Sequence, residues 1–369
     1  MTNYTVAIIG TGRVGTQFDF DPALPDNHAD AITLSDAFTL VAGVNRGREK
    51  LDIFGSRYKI DALYHDYREM LEVVGPDVCI IATHPELHRE MVEGCAAAPT
   101  TRAIICEKPM ALSLEECDAM INACRGTDVL LQINHNRRWH GQLLKVKELL
   151  DSGAIGDFNH IYCYMDGGKP APWWRAENEG PLLHDFTHYF DLMDMYAGEV
   201  DWLCGMAEQR IRPWAVEDFA AAFIKFKSGV TGLISGAELS EYDDSGIELR
   251  GSTGVIRIKG EGVELFQTEQ DVYEPDSGFQ WSTLQPREVD LPPANSTYVS
   301  ALKELADALE GKTPLRSNGE VGRRSLEIVM GIYQSQLEGC TPVHFPVSLK
   351  SSGVEALREA GHFVERSDG

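Results

Sequence analysis

The sequence predicts an α/β protein in which a doubly wound parallel sheet is followed by an α+β domain with an open, mostly antiparallel sheet. The first third alternates apolar runs with amphipathic stretches, the pattern of strands separated by helices in a parallel sheet. Beyond residue 158 the predicted strands are short and separated by glycine turns, as in antiparallel hairpins. At 369 residues the chain also exceeds the roughly 250–300 residues at which single cores stop growing, so two domains are expected.

The first apolar run leads directly into a glycine-rich turn. Residues 5–9 read Thr-Val-Ala-Ile-Ile, and the pattern G-x-G-x-x-G follows as Gly10, Thr11, Gly12, Arg13, Val14 and Gly15. Glycines at these places let the backbone turn tightly, approach a pyrophosphate closely and bring the next helix against the strand. The phosphates would then lie on exposed main-chain N–H groups. The turn predicts a dinucleotide-binding Rossmann domain, the alternative being a purely structural turn.

Further apolar runs of the first domain lie at residues 39–44, 78–82, 103–106 and 129–133. Between the glycine turn and the second run, residues 18–28 contain prolines and aspartates that interrupt helical periodicity. This segment is predicted to be a loop that either borders the substrate-binding site or is a surface insertion.

The second half predicts strands at residues 158–165, 202–211, 219–227, 230–240, 247–250, 255–259 and 263–267, and helices at 141–152, 181–196, 298–309 and 319–337. Residues 269–295 are polar, contain prolines and are predicted to form a loop, before a last extended piece at 343–347. The predicted domains are residues 1–134, which bind the dinucleotide, and residues 135–369, which bind substrate and support oligomerisation. The terminal helices are free to pack back on the first domain.

The composition argues against several kinds of partner. A formal net charge of −24 and a pI of about 4.8 would repel nucleic acid and anionic lipid, so a neutral substrate fits better. No apolar run approaches the ~20 residues of a membrane span. The first strand begins too close to Met1 to leave room for a secretory signal. We therefore expect a cytoplasmic protein without nucleic-acid or membrane partners.

The tripeptide Glu107-Lys108-Pro109 follows the fourth apolar run. Because the carboxyl ends of strands in a doubly wound sheet face the ligand crevice, Lys108 is placed for chemistry. Pro109 favours an extended conformation of Lys108 and so fixes how that residue leaves the strand. The alternative is that the tripeptide only ends a strand and that its charges are solvated.

A second group of candidates lies in the helix predicted at 181–196. In a regular helix His184 and His188 share a face, and Asp185 precedes His188 by three residues. Histidine titrates near neutral pH and therefore suits proton transfer to or from an alcohol. A His-x-x-x-His pair also binds zinc, but no third ligand has evident spacing, so no metal is predicted. A structural role at a helix end is the other alternative.

Polar and aromatic residues after the fifth apolar run are candidates for binding substrate. Asn136, Arg138 and Trp139 suit a ligand rich in hydroxyl groups, although arginines here could instead hold a domain interface. Trp174 lies in a Trp/Pro-rich loop, where its indole could stack on a sugar ring or anchor the loop to a core.

Together, the glycine turn, residues 83–88 (Thr-His-Pro-Glu-Leu-His), Glu107-Lys108-Pro109, residues 136–139 and the helix at 180–191 resemble the Gfo/Idh/MocA oxidoreductases, the family of glucose-fructose oxidoreductase and inositol dehydrogenase. The resemblance implies that Lys108 helps place the nicotinamide and binds the substrate oxygen, and that His188 accepts the proton. It implies cofactor contacts from Thr83, His84, Pro85, His88, Glu107 and Lys108. With the tryptophan of the Trp/Pro-rich loop added, the candidate substrate-binding residues are Lys108, Asn136, Arg138, Trp139, Trp174, Asp185 and His188.

One position departs from the pattern of the family. Most members have aspartate four residues before the proton acceptor, whereas this chain has His184 there and a carboxylate one residue later, at Asp185. Either residue could support His188, so both are candidate catalytic residues.

The residues after the second apolar run favour NADP(H) over NAD(H). An acidic residue there would bond the ribose diol and repel a 2′-phosphate. This chain has Asn45, Arg46 and Arg48 instead, and arginine binds phosphate through paired hydrogen bonds. NAD(H) is the alternative, because Arg46 is also similar to an arginine that stacks on adenine in NAD-dependent members.

The resemblance implies reversible hydride transfer between C4 of the nicotinamide and a secondary alcohol or carbonyl carbon of a sugar, polyol or related cyclic compound. One alternative is an NAD-dependent glycosidase of the same family, which oxidises its sugar transiently. Another is a nonenzymatic regulator that senses NADP. The resemblance also implies a homodimer or homotetramer that pairs through its open sheets.

Overall fold

The structure is a computed structural model that describes residues 2–17, 23–168, 178–260, 262–274 and 279–366. The chain divides into two compact units. The first unit consists of Met1–His140 and Ala294–Leu326, and the second consists of Gly141–Pro293 and Glu327–Gly369.

The regular elements alternate in the first third of the chain and become strand-rich after it. The strands are β1 (Tyr4–Ile9), β2 (Phe38–Val44), β3 (Leu63–Tyr64), β4 (Val78–Ile81), β5 (Ala103–Cys106), β6 (Leu130–Ile133), β7 (Phe158–Gly168), β8 (Val200–Glu208), β9 (Phe219–Phe226), β10 (Thr231–Ala237), β11 (Leu239–Gly251), β12 (Gly254–Lys259), β13 (Gly262–Glu274), β14 (Phe279–Arg287) and β15 (Val343–His344). The helices are α1 (His28–Thr33), α2 (Arg48–Tyr58), α3 (Tyr67–Val74), α4 (His88–Ala96), α5 (Leu114–Thr127), α6 (Gly141–Asp151), α7 (Thr187–Ala197), α8 (Thr297–Leu309), α9 (Gly319–Leu337) and α10 (Gly353–Glu359). Over the ranges that the structure describes, none of these helices is long and apolar enough to span a bilayer.

Within its described residues, the first unit contains a six-stranded parallel sheet in the order β3-β2-β1-β4-β5-β6. Strands β4 and β5 are buried along their whole length, because helices cover both faces of a doubly wound sheet. The predicted parallel sheet is confirmed. The strand order reverses between β1 and β4, and ligands bind to doubly wound sheets at the carboxyl ends of the strands beside such a reversal.

The hydrophobic core of the first unit joins this sheet to α1 and α8. Its buried members include Val6, Ile8, Ile80 and Ile105 of the sheet, Ile32 of α1, and Tyr298, Leu302 and Leu305 of α8. Burying one such side chain fully contributes roughly 1.5–3 kcal/mol. Helix α8 therefore belongs to the core of the first unit, although it comes late in the sequence.

In the part of the chain that the structure describes, the second unit contains a nine-stranded sheet in the order β14-β13-β12-β11-β7-β10-β9-β8-β15. Its strand pairs are antiparallel except for β7 with β10, which confirms an open, mostly antiparallel sheet. Along β9 buried residues alternate with more exposed ones, so one face is covered and the other is open.

The prediction of a loop at residues 269–295 is wrong over much of that range. Strand β13 continues to Glu274 and pairs antiparallel with β14, which forms the edge of the sheet. The sequence signal was weak because the side chains of residues 281–287 are mostly exposed and show no buried apolar face. Pro286 is compatible with this strand because an edge strand leaves part of its main chain without a partner. Residues 288–295 have no regular secondary structure, as predicted.

Candidate active site

The carboxyl ends of β1, β4 and β5 bring the predicted cofactor residues to one edge of the parallel sheet. The N–H of Ala82 donates to the carbonyl of Ile9 over 2.8 Å, and the N–H of Glu107 donates to the carbonyl of Ile81 over 3.0 Å. These bonds continue the ladder just past the strand ends. The glycine turn after β1 and Glu107 after β5 therefore lie on either side of the segment that follows β4.

Two of the three glycines in the turn are required by the protein's own packing. Gly10 has a φ of +103°, and a Cβ there would lie 2.3 Å from the carbonyl oxygen of Ala82. A Cβ on Gly15 would lie 2.2 Å from the carbonyl oxygen of Gly10. Only glycine avoids both the unfavourable conformation and the collisions. These two residues let the turn pack against β4 and against itself.

Gly12 has no such packing requirement. The nearest atom to a Cβ built there is Nζ of Lys50, at 3.9 Å, so the protein itself leaves room for a side chain. The neighbouring Thr11 hydroxyl is buried, and among the residues that the structure describes it has no hydrogen-bond partner. A glycine without internal necessity beside an unpartnered buried hydroxyl fits the close approach of a pyrophosphate. The chain continues through the exposed Arg13 and half-buried Val14 in a π-helical turn, Arg13–Gln17.

Polar residues follow β2, where a dinucleotide's adenosine ribose would be recognised. Asn45 is half-buried and its Nδ2 donates to the carbonyl of Gly47 over 3.0 Å. Arg46 is exposed, and Arg48 pairs with Asp52 one helical turn later, at 3.0 Å, with both side chains largely exposed. An exposed pair of this kind holds its arginine weakly. No carboxylate occupies residues 45–48, and Arg46 and Arg48 give this segment two positive side chains.

His88 joins two of the predicted cofactor loops. Its side chain is fully buried, with Nδ1 3.1 Å from the carbonyl oxygen of Pro109 and Nε2 3.2 Å from that of Thr83. Burial lowers the pKa of His88, against the opposing effect of these carbonyl contacts. His88 therefore ties the loop after β4 to the loop after β5. His84 is exposed, and Pro85 is buried at the start of a short 3₁₀ helix, Pro85–Leu87.

Glu107 is buried, whereas Lys108 is half-buried. The Glu107 Oε1 atom accepts hydrogen bonds from Nε2 of His28 at 2.8 Å and from Nδ2 of Asn134 at 2.6 Å. Burial alone would raise the pKa of Glu107, but the bond and the charge of His28, with smaller effects of Asn134 and Lys108, lower it. The alternative of a tripeptide with solvated charges is therefore inconsistent with the position of Glu107.

The residues predicted to bind substrate after β6 differ in their access to solvent. They form a 3₁₀ helix, Asn136–Trp139, in which Arg138 and Trp139 are buried and Asn136 is half-buried. The carbonyl of Trp139 accepts a hydrogen bond from Asn295 at 2.9 Å, within the first unit. Trp174 and the rest of its loop lie outside the described residues.

The histidine helix of the second unit begins with a wider turn than the sequence predicts. Residues Leu182–Phe186 form a π-helical turn that continues into α7, and such turns are frequent at functional sites. His184 Nδ1 lies 3.5 Å from a carboxylate oxygen of Glu179, and its Nε2 lies 3.8 Å from one of Asp185. Its imidazole is thus placed between two acids. His188 follows in the first turn of α7 and is half-buried.

Glu217 is a residue at this helix that the sequence analysis missed. Its buried Oε1 accepts hydrogen bonds from the N–H of Leu182 at 3.0 Å and from the hydroxyl of Tyr333 at 2.9 Å. Burial, followed by the negative charge of Asp218, raises the pKa of Glu217 to about 7. Gly180 makes room for it, because a Cβ at that position would lie 2.2 Å from the carboxyl group. The sequence offered no signal beyond an acidic pair, Glu217-Asp218, before β9.

Two family profiles match this chain. One, described as "Oxidoreductase family, NAD-binding Rossmann fold", matches residues 4–135, and the other, "GFO/IDH/MocA C-terminal domain", matches residues 143–257. These matches show an oxidoreductase with an NAD-binding Rossmann domain. The chain belongs to the Gfo/Idh/MocA family of dehydrogenases and reductases.

Similar proteins support this assignment. A Myo-inositol 2-dehydrogenase of Thermotoga maritima is 26% identical over 87% of this chain and 92% of its own length. A D-apiose dehydrogenase of Paraburkholderia graminis is 27% identical over 89% of this chain and 88% of its own length. Among solved structures, the WlbA dehydrogenase from Bordetella pertussis, crystallised with NADH and UDP-GlcNAcA, has a TM-score of 0.76 at 21% identity and covers 94% of this chain and 100% of its own. The similarity to this solved structure shows the fold alone.

Proposed function

We propose that this protein transfers a hydride between a nicotinamide cofactor and a secondary alcohol or carbonyl carbon of a sugar, polyol or related cyclic compound. The observation that carries the proposal lies within the first unit. Lys108 leaves the same sheet edge as the glycine turn, with β4 between them, directly after a glutamate whose carboxylate is held in the interior. A bound nicotinamide supplies the hydride chemistry, and the protein supplies binding, orientation and proton handling.

Lys108 and His188 have separate roles in the proposed reaction. In the oxidative direction the ammonium group of Lys108 stabilises the negative charge that develops on the substrate oxygen. His188 accepts the hydroxyl proton, and an imidazole is suited to this because it titrates near neutral pH. The support of the protonated His188 falls to Asp185 or to His184, whose imidazole lies between the carboxylates of Glu179 and Asp185.

A polyhydroxylated, uncharged substrate is favoured by two observations. The similar curated proteins act on myo-inositol and D-apiose, according to their names. The formal net charge of −24 disfavours an anionic substrate at long range. Of the candidate substrate residues after β6, the half-buried Asn136 is the best placed to bind a hydroxyl group.

NADP(H) is the proposed cofactor and NAD(H) the alternative. The absence of a carboxylate at residues 45–48, the exposed Arg46 and the weakly held Arg48 all favour a 2′-phosphate at this end of the sheet. The oligomer proposed from the family resemblance is a homodimer or homotetramer that pairs through the open face of the second unit's sheet.

The test is a turnover assay with both oxidised cofactors against a panel of inositols, aldoses and alditols, followed by formation of the reduced nicotinamide. Lys108→Ala and His188→Ala should each lower kcat by roughly 100-fold or more, because each removes a group that acts in the transition state. The affinity for nucleotide, measured by calorimetry, should change little.

Matched controls are Lys303→Ala on the exposed side of α8 and His344→Ala on β15, which remove the same residue types elsewhere in each unit. Both controls should retain the activity of the parent enzyme. Near-normal turnover by either site variant would remove that residue from the mechanism, and no binding of either cofactor would refute the proposal as a whole.

A further inference from the structure

A buried polar cluster lies at the ends of the strands that bear the candidate site. We call it the His28 cluster, and its members are His28, Glu107, Asn134 and Tyr298. The four side chains come from α1, the end of β5, the end of β6 and α8, and each residue is at most 7% exposed. The ring of His28 meets the ring of Tyr298 edge-on, with centroids 4.8 Å apart. Every member belongs to the first unit.

Hydrogen bonds from two side chains compensate the buried carboxylate of Glu107. A buried carboxylate is costly unless a cation and hydrogen-bond donors compensate its charge. Glu107 has two such donors, because Nε2 of His28 and Nδ2 of Asn134 converge on a single oxygen, Oε1. Tyr298 cannot supply a second negative charge, because burial and then the charge of Glu107 raise its phenol pKa well above the ordinary value. Removing His28 would therefore leave the buried carboxylate of Glu107 without one of its two hydrogen-bond partners at Oε1.

The cluster acts on the residue next to it. The N–H of Glu107 still donates to the carbonyl of Ile81, so the ladder of β5 continues up to the residue before Lys108. The carboxylate of Glu107, anchored in the interior, therefore fixes the main chain from which the side chain of Lys108 leaves. A displacement of about 1 Å at a reacting group can cost roughly 100-fold in rate.

We propose that the buried pair of His28 and Glu107 positions Lys108, which makes His28 a positioning residue for hydride transfer; this rests on the function proposed above. His28 is the first residue of α1, where the side chain of Asn27 caps the helix by accepting a bond from the N–H of Asp30 at 2.9 Å. The start of α1 is thus in direct contact with the residue that precedes Lys108.

The experiment compares His28→Gln, Glu107→Gln and the double variant with the parent enzyme. Each single variant should lower kcat by roughly 10- to 100-fold with little change in cofactor affinity. The double variant buries no unpaired charge, so it should melt at a higher temperature than His28→Gln and recover part of kcat. If His28→Gln fails to fold, kcat can still be measured for the double variant and for Glu107→Gln. A loss of thermal stability with kcat within about twofold of the parent would overturn the proposal.

The matched control is Thr5→Val. The Thr5 hydroxyl donates to Asp77 over 2.7 Å at the amino ends of the same sheet, so this variant also removes a side-chain bond to a carboxylate, far from Lys108. Its stability should fall while its kcat stays unchanged. An equal fall in kcat for Thr5→Val and His28→Gln would assign the effect to general destabilisation.

A second readout does not depend on turnover. The pH midpoint for reductive methylation of Lys108, followed by peptide mass spectrometry, should shift in His28→Gln and stay constant in Thr5→Val. An unchanged midpoint in His28→Gln would overturn the positioning role. If the parent enzyme turns over no polyol but the midpoint shifts, the proposed function fails and the positioning of Lys108 stands.

Discussion

The carboxylate of Glu217 accepts a hydrogen bond from the main-chain N–H of Leu182 over 3.0 Å, at the start of the helical segment that carries His184, Asp185 and His188. The first N–H groups of a helix have no partner within the helix, and an acidic group at that end is favourable. Here the acid comes from another part of the second unit, 35 residues away in sequence. Its other oxygen, Oε2, is buried and lacks a partner among the described residues. The carboxylate of Glu217 therefore has hydrogen bonds to only one of its two oxygens when it is ionised.

This arrangement predicts that the second unit loses stability as the pH rises from about 4.5 to about 7. The pKa of Glu217 is about 7 in the folded protein, against an ordinary value of 4.5. Between these values the folded state holds a proton that the unfolded state has released, so the free energy of unfolding falls as the pH rises across this window. Above pH 7 the loss is on the order of 3 kcal/mol.

Urea unfolding of the parent protein and of Glu217→Gln at pH 5 and pH 8 measures this effect. The amide does not titrate, so the stability of Glu217→Gln relative to the parent should improve from the lower pH to the higher. The neighbouring acid does not provide a control. Asp218→Asn would disturb a carboxylate that accepts hydrogen bonds from three main-chain N–H groups. Parallel pH dependences of the parent and Glu217→Gln would show that Glu217 does not titrate in this range.

The glycine turn predicts opposite results for two similar substitutions. Gly15→Ala places a Cβ 2.2 Å from a main-chain oxygen and should destabilise the first unit by roughly 1–3 kcal/mol or more. Gly12→Ala meets no atom closer than 3.9 Å, so its stability should lie within about 0.5 kcal/mol of the parent. It should nevertheless bind cofactor roughly tenfold or more weakly, because the methyl group obstructs the pyrophosphate.

Thermal unfolding and calorimetric titration with NAD+ and NADP+ separate the two cases. The glycine substitutions serve as controls for each other, since both add a single methyl group to the same turn. Full cofactor affinity in a stable Gly12→Ala protein would place the pyrophosphate elsewhere.

The parallel sheet was predictable from sequence because its strands are buried on both faces and therefore appear as continuous apolar runs, such as β4. The hairpin of β13 and β14 was not predictable from sequence. Main-chain hydrogen bonds hold it together, and the side chains of residues 281–287 are mostly exposed. The motifs likewise predicted that the glycine turn and Lys108 follow strands, as they do after β1 and β5. The partners of Glu107 could not be found, since His28 lies 79 residues away and nothing in the local pattern links the two residues. Contacts of this length depend on the tertiary fold.

The coenzyme preference can be tested at Asn45. Asn45→Asp introduces the negative charge that would bond a ribose diol and repel a 2′-phosphate. We expect the ratio of kcat/KM for NADP+ to that for NAD+ to fall roughly tenfold, equivalent to about 1.4 kcal/mol of repulsion. Asn45→Ala is the matched control, because it also loses the bond to Gly47 but adds no charge. A parent enzyme that already prefers NAD+, or equal ratios in both variants, would contradict the assignment to NADP(H).

The open face of the second unit's sheet predicts where copies of the chain associate. Phe223 on β9 and Leu233 on β10 are direct cross-strand partners and are 37% and 40% exposed, and Trp202 packs against Phe223 with centroids 5.6 Å apart. A row of exposed apolar side chains on a strand face is typical of an interface. Leu233→Glu places a charge in that row and should convert the proposed oligomer to monomers, as measured by light scattering during gel filtration. Val73→Glu is the matched control, since Val73 is 67% exposed on α3 of the first unit and its substitution should leave the assembly unchanged. An oligomer that survives Leu233→Glu, or a parent protein that is monomeric throughout, would show that this face does not associate.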